Sequence, residues 1–203
     1  MLGEIKATVD RHARNFEAAV GQRMVDMELD NHDHHLAYRL LGVGSTDGQS
    51  IDRHQNTGRF LYRHAGSLME EVTIACFAHA FPGSGKQMID NTVGTKPAQF
   101  EIDCLVGQDA IEIKWRDATT DGDHVSKELA RLTTIAAAGL RPVRLMYFEP
   151  QRQQARKIQG RLRESYLQSG GEYHSGDDAW IYVESRTTVD LRSVLEDLSS
   201  HLR

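Results

Sequence analysis

The stretch Phe100-Glu101-Ile102-Asp103-Cys104-Leu105-Val106-Gly107-Gln108-Asp109-Ala110-Ile111-Glu112-Ile113-Lys114-Trp115 decides how the chain folds. Two apolar-rich runs, 100–106 and 109–115, flank Gly107-Gln108, which predicts two strands joined by a short turn. Alternate residues of a strand share a face. Glu112 and Lys114 therefore point one way, and Ile111, Ile113 and Trp115 point the other way, into a core. Glu101, Asp103 and Leu105 share one face of the first strand. A two-residue turn pairs Val106 with Asp109; counting back sets Asp103 opposite Glu112 and Glu101 opposite Lys114. Glycine at the first central position suits a type II′ hairpin turn. A three-residue loop would send Asp103 to the opposite face from Glu112. The two-residue register is the expectation.

Opposed carboxylates in such a hairpin have Cβ atoms about 5 Å apart and repel each other. A divalent cation between them resolves the conflict. Carboxylate oxygens with water suit Mg²⁺, which also favours phosphate oxygens. The ion polarises a phosphodiester and acidifies a bound water. Lys114 beside it steadies the negative charge that develops on phosphorus. The implied reaction is phosphodiester hydrolysis. The competing reading is an exposed hairpin carrying Glu101–Lys114 as a surface salt bridge, worth little. A further acid is expected from Gly66-Ser67-Leu68-Met69-Glu70-Glu71, with Glu70 turned inward as catalytic and metal-binding residue. The alternative is that both glutamates are solvated.

Working outward, residues 4–29 read as helix, with Ile5, Val9, Phe16, Val20 and Val25 roughly in helical period. Residues 31–56 are polar and rich in His and Gly, so mostly loop, with a short helix at 36–41. Residues 59–81 form a second helix, stopped by Pro82-Gly83. Residues 83–99 read as loop. After the hairpin comes a helix from about His124, ending at Gly139. Val143–Phe148 is a strand, apolar along its length and so central. A basic helix over 151–168, a strand at 179–184 and an amphipathic helix with Leu191, Val194, Leu195, Leu198 and Leu202 complete the chain. Helices interleaved with strands predict an α/β/α sandwich, a central mixed β-sheet covered on both faces.

The residues Asp103, Glu112 and Lys114 resemble the pattern of the PD-(D/E)xK nuclease superfamily, although Ile102 stands where a proline usually precedes the first acid. Gly66-x-x-x-Glu70 resembles its N-terminal helix motif. More specifically, Phe100–Cys104 followed by Glu112-Ile113-Lys114-Trp115-Arg116-Asp117-Ala118-Thr119-Thr120-Asp121-Gly122-Asp123-His124 is similar to the ApaLI-like type II restriction endonucleases. That resemblance covers roughly residues 90–130 and implies a restriction-endonuclease-like fold. It also implies Mg²⁺, a homodimer, cleavage of double-stranded DNA at a short palindromic site, and a cognate DNA methyltransferase in the same system. On this reading residues 1–203 are a single nuclease domain, with its catalytic core at about 57–150 and a helical region 1–56 for DNA contact or dimerisation. Lys96, Arg116, Thr119, Thr120 and His124 are the candidate DNA contacts, and Asp123 is the expected N-cap of the helix that follows.

The net charge is −5, which does not advertise a nucleic-acid binder, but the location of cations matters more than their sum. Arg supplies 18 of the 24 basic side chains, and its planar fork suits phosphate and guanine; a GC-rich genome would give the same excess. Cys76 and Cys104 lie in apolar runs and are expected to be buried and reduced. No apolar run reaches the length of a membrane span and no signal-peptide core follows Met1, so a cytoplasmic protein is expected. Asp30-Asn31-His32-Asp33-His34-His35 resembles a metal site, with His54, His64 and His79 available to it. A polar loop is the more ordinary account. Gly83-Ser84-Gly85-Lys86 lacks the spacing of a phosphate loop, and no nucleotide role is assigned to it. Three alternatives remain: a repair or junction-resolving nuclease on the same core, a non-catalytic DNA-binding module, and a His/Asp metallohydrolase.

Overall fold

In the computed structural model, residues 1–94, 96–116 and 122–201 are described, with side chains at 122–124 excepted. The elements in chain order are α1 (Leu2–Leu29), α2 (His35–Leu40), α3 (Ser45–Ala80), β1 (Gly85–Asp90), β2 (Gln99–Val106), β3 (Asp109–Lys114), α4 (Gly122–Ala137), β4 (Arg141–Met146), α5 (Gln153–Gln168), β5 (Glu172–Ser175), α6 (Asp177–Thr187) and α7 (Leu191–Ser200). The chain divides into two compact units, residues 1–5 with 69–203, and residues 6–68.

The larger unit is built on a five-stranded sheet in the order β1-β2-β3-β4-β5. β1–β2 and β2–β3 pair antiparallel, while β3–β4 and β4–β5 pair parallel. The sheet is therefore mixed and flanked by helices, the expected α/β architecture. β4 is buried from Pro142 to Met146, as expected of a central strand, but it is not apolar along its length, since Arg144 is buried within it. α4 presents Glu128, Arg131, Leu132 and Ile135 at helical spacing, an inward stripe that is half ionic and half apolar. Leu132 packs with Leu162, Tyr166 and Tyr173; Ile135 packs with Ile102 and Ala110. α4 closes at Gly139, whose N–H donates to the Ala136 carbonyl while Leu140 N–H donates to that of Ile135, the hydrogen-bond pair of a glycine-terminated helix. Cys76 and Cys104 are both free thiols fully inside this unit, and burial pushes each up to about 12.

The smaller unit holds most of α1, all of α2 and the first part of α3. Arg23 Nε donates to Asn56 Oδ1 at 3.0 Å, joining α1 to α3, and the His64 ring packs edge-on against His12 and Phe16.

Four further expectations are corrected. Residues 45–56, read as loop, form the start of α3; that segment is polar, and helical period has nothing apolar to mark it. Residues 85–90, also read as loop, are β1, an edge strand so largely exposed that it carries no alternating pattern. Residues 179–184, read as strand because they are β-branched and aromatic, lie in α6. Ala179, Tyr182 and Val183 are its buried face, and Asp177 and Asp178 favour its N-terminus. The strand beside β4 is instead the short β5. Asp123 stands inside the first turn of α4 rather than before it. Among the described residues, no helix is long and apolar enough to cross a membrane.

Candidate active site

Gly107 and Gln108 form the turn between β2 and β3, and Val106 pairs with Asp109, the two-residue register expected. Gly107 has φ of +60°, which only glycine adopts without strain. The ladder runs on through Cys104 and Ile111. Just beyond it, Asp103 Oδ2 accepts the Ile113 N–H at 2.8 Å. On the other side, between the pairs Gly85–Leu105 and Gln87–Ile102, β1 advances two residues and β2 three. This bulge breaks the strict alternation read from the sequence. Leu105 packs with Ile102 around Ile135 instead of sharing a face with Asp103.

The bulge and the turn bring acids from two elements together. Glu70 of α3 with Glu101 and Asp103 of β2 each offer a carboxylate oxygen, and the three lie within 4.8 Å of one another. The cluster expected from the sequence was Asp103, Glu112 and Glu70. Glu112 stands beside it, but its Oε1 is engaged by Lys114 and by Arg131 of α4. Lys114 Nζ also lies 3.5 Å from Asp103 Oδ2 and donates to the Ile113 carbonyl at 3.1 Å. Glu101 does not meet Lys114; its partner is Lys86 of β1, at 3.0 Å, and Lys86 pairs with Glu70 as well. Glu71 is not part of the cluster.

The ionisation of these groups follows from burial and neighbours. Asp103 is pushed up to about 7, by desolvation first and then by the charge of Glu112, against the pull of Lys114 and the Ile113 N–H. For Glu112, burial works upward, yet Lys114, Arg131 and Arg144 together hold it below its ordinary value. For Lys114, burial works downward, but Glu112 and Asp103 outweigh it and keep the ammonium charged. A carboxyl raised by burial and by neighbouring acids is one that a bound cation would bring back down.

A second layer fixes the first. Arg131 also pairs with Glu128 at 3.2 Å, and Glu128 Oε2 accepts from Arg144 at 2.8 Å. Arg144 sits opposite Glu112 in the β3–β4 register and is 1 % exposed. Glu101, Lys86, Arg131, Glu128 and Arg144 were not read as site residues. Only Glu101 left a signal, its alternation with Asp103; the others meet the site across sheet and helix.

Of the candidate DNA contacts, Arg116 lies over the rings of Trp115 and Phe148, with its guanidinium carbon 5.7 and 5.3 Å from their centroids. Lys96 is exposed. Thr119 and Thr120 lie outside the described residues, as does the side chain of His124. In the His-rich segment, His34 and His35 converge on Asp52, not on Asp33, and His54 bonds Ser50 instead. Burial works upward on Asp52, but hydrogen bonds from His35, His34 and Tyr38 bring its carboxyl down to about 2.

Comparison with curated proteins and with solved structures gives no match. The family model of the ApaLI-like restriction endonucleases matches residues 1–200, almost the whole chain. With a mixed α/β sheet and acids gathered beside a lysine on its hairpin, the protein belongs to the ApaLI-like restriction endonuclease family and is a restriction endonuclease.

Proposed function

We propose that the protein is a type II enzyme that hydrolyses double-stranded DNA at a short palindromic site with Mg²⁺, using a PD-(D/E)xK-type centre at the open end of the β2–β3 hairpin. The observation that carries this reading is the convergence of Glu70, Glu101 and Asp103 within 4.8 Å, with Lys114 3.5 Å from Asp103. An all-carboxylate donor set fits a hard cation, and a cation there would offset the burial and the Glu112 charge that push Asp103 upward. Asp103, Glu70 and Glu101 would hold the ion. When bound, it would polarise the scissile phosphodiester and acidify a water.

The protein's own groups supply the rest. Glu112 holds Lys114 in place through Oε1, and Arg131 fixes Glu112 in turn. Glu112 and Asp103 favour the charged form of Lys114, which would place a positive charge beside the anionic phosphorus centre. Arg116, Lys96, Thr119, Thr120 and His124 would contact DNA, phosphate contacts setting position and base contacts setting sequence. A palindromic target implies a homodimer, one subunit per strand, and a methyltransferase that protects host DNA.

The test is a plasmid digest with Mg²⁺ or with EDTA, followed by sequencing of the ends. Discrete fragments with one common terminal sequence, lost in EDTA, are expected. Cleavage of branched DNA in preference to plasmid would favour a junction-resolving enzyme. No cleavage under any divalent ion, with DNA binding intact, would leave a binding module.

A further inference from the structure

A second cluster lies in the unit of residues 6–68, outside the hairpin and its chemistry. His34 Nε2 and His35 Nε2 both reach the same oxygen, Asp52 Oδ2, at 2.9 and 2.8 Å. We propose that His34, His35 and Asp52 form a binding site for one Zn²⁺-type ion that clips α2 to α3.

The donor set suits the ion. Two imidazole nitrogens and a carboxylate oxygen match the preferences of Zn²⁺ and differ from the oxygen-only cluster that suits Mg²⁺. All three donor atoms lie within 4.8 Å of one another. Tetrahedral ligands at about 2.0–2.2 Å from zinc stand about 3.4 Å apart, so the side chains open by roughly half an ångström to admit it. Each imidazole would bind through Nε2 with its proton moved to Nδ1, and Oδ2 would serve as the carboxylate ligand.

The surroundings hold these donors in place. Tyr38 OH donates to Asp52 Oδ1 at 2.7 Å, which orients the carboxylate and leaves Oδ2 for the metal. The His35 side chain is 3 % exposed, and His32 stacks on its ring at 4.9 Å. A Cβ at position 48 would stand 3.0 Å from Tyr38 Cδ2 and 3.3 Å from the His35 ring, so Gly48 makes room for both. The His34 side chain is 53 % exposed, and both His34 and Asp52 border a cavity of about 450 Å³ that Arg23, Tyr38 and Asn56 also line. That open side gives water the fourth position, as in zinc sites with three protein ligands.

The test uses Co²⁺ as a spectroscopic stand-in, added to metal-free protein. The wild type and Asp103→Asn, which weakens the hairpin site, are both expected to bind one Co²⁺ with the strong visible absorption of four-coordinate cobalt, and Zn²⁺ is expected to bleach it. His34→Ala, an exposed position where folding is safe, should lose the band. Tyr38→Phe should keep it, with affinity lowered by about 10-fold or more. Zn²⁺ should raise the melting temperature of the wild type and not that of His34→Ala. No visible band in the wild type, or a band indifferent to His34→Ala, overturns the site. Because Asp103→Asn keeps this signal and loses DNA cleavage, failure here and failure of the nuclease reading are told apart.

Discussion

The β2–β3 hairpin carries one buried carboxylate at its turn, Asp109 of β3, and another toward its open end, Asp103 of β2, and the two behave in opposite ways. At the turn, Asp109 meets Arg141 at 2.7 Å and Arg186 at 3.0 Å. Burial works upward on it, but these two cations outweigh burial and lower it. At the other end, burial first and then the charges of Glu112 and Glu70 drive the Asp103 carboxyl upward, and the one lysine near it, Lys114, does not outweigh them. One hairpin thus holds a finished ion pair at its closed end and an unbalanced one at its open end. The lesson is that two aspartates of like exposure on one hairpin are set apart by the charges that meet them, two arginines at the turn and further acids at the open end.

The largest effect should come from Glu112→Ala, which leaves Lys114 and Arg131 without their shared buried anion. A loss of about 3–5 kcal/mol in chemical denaturation is expected, together with loss of cleavage. Lys114→Ala should lower single-turnover cleavage by about 10²–10³-fold while DNA affinity in a filter-binding assay stays within a few-fold. Asp109→Ala should cost only about 1–3 kcal/mol, because Arg141 and Arg186 are partly exposed and can turn to water. Its cleavage rate per folded molecule should be unchanged. If Asp109→Ala abolished cleavage and Lys114→Ala did not, the contrast between the two ends would be reversed.

Two smaller effects sharpen the contrast. In metal-free protein the folded state holds a proton on Asp103 more tightly than the unfolded chain does. Its contribution to stability therefore falls as pH rises from about 4, the unfolded value, to about 7, and is level above that. Denaturation of wild type and Asp103→Asn across that range should show the difference, and Mg²⁺ added at the upper end should remove it. Lys86→Gln takes away the ammonium that bridges Glu70 and Glu101. Calorimetry should show Mg²⁺ binding tighter by a few-fold, on the order of 1 kcal/mol.

The hairpin was legible because its apolar runs and one glycine determine the register at the turn, and β4 because Val143, Leu145 and Met146 make most of it apolar, although Arg144 is buried among them. β1 was hidden for the opposite reason: an exposed edge strand has no hydrophobic period, and with it went Lys86. Glu112 illustrates a subtler limit. Its place on the strand could be counted, but its partner Arg131 arrives from α4, and no spacing along the chain foretells that meeting. Likewise Asp33 lay next to His34 and His35 in sequence, while the acid they reach is Asp52, one helix away.

Cys104 is the residue after Asp103, sealed on the sheet, and Cys76 is sealed in the part of α3 that belongs to the same unit. Neither thiol can react while the fold is closed, since each is shielded and protonated. The chain therefore carries two natural clocks. Alkylation at Cys104 times the opening of the strand that bears the acids, and alkylation at Cys76 times the release of the helix that brings Glu70 to them, with no label introduced.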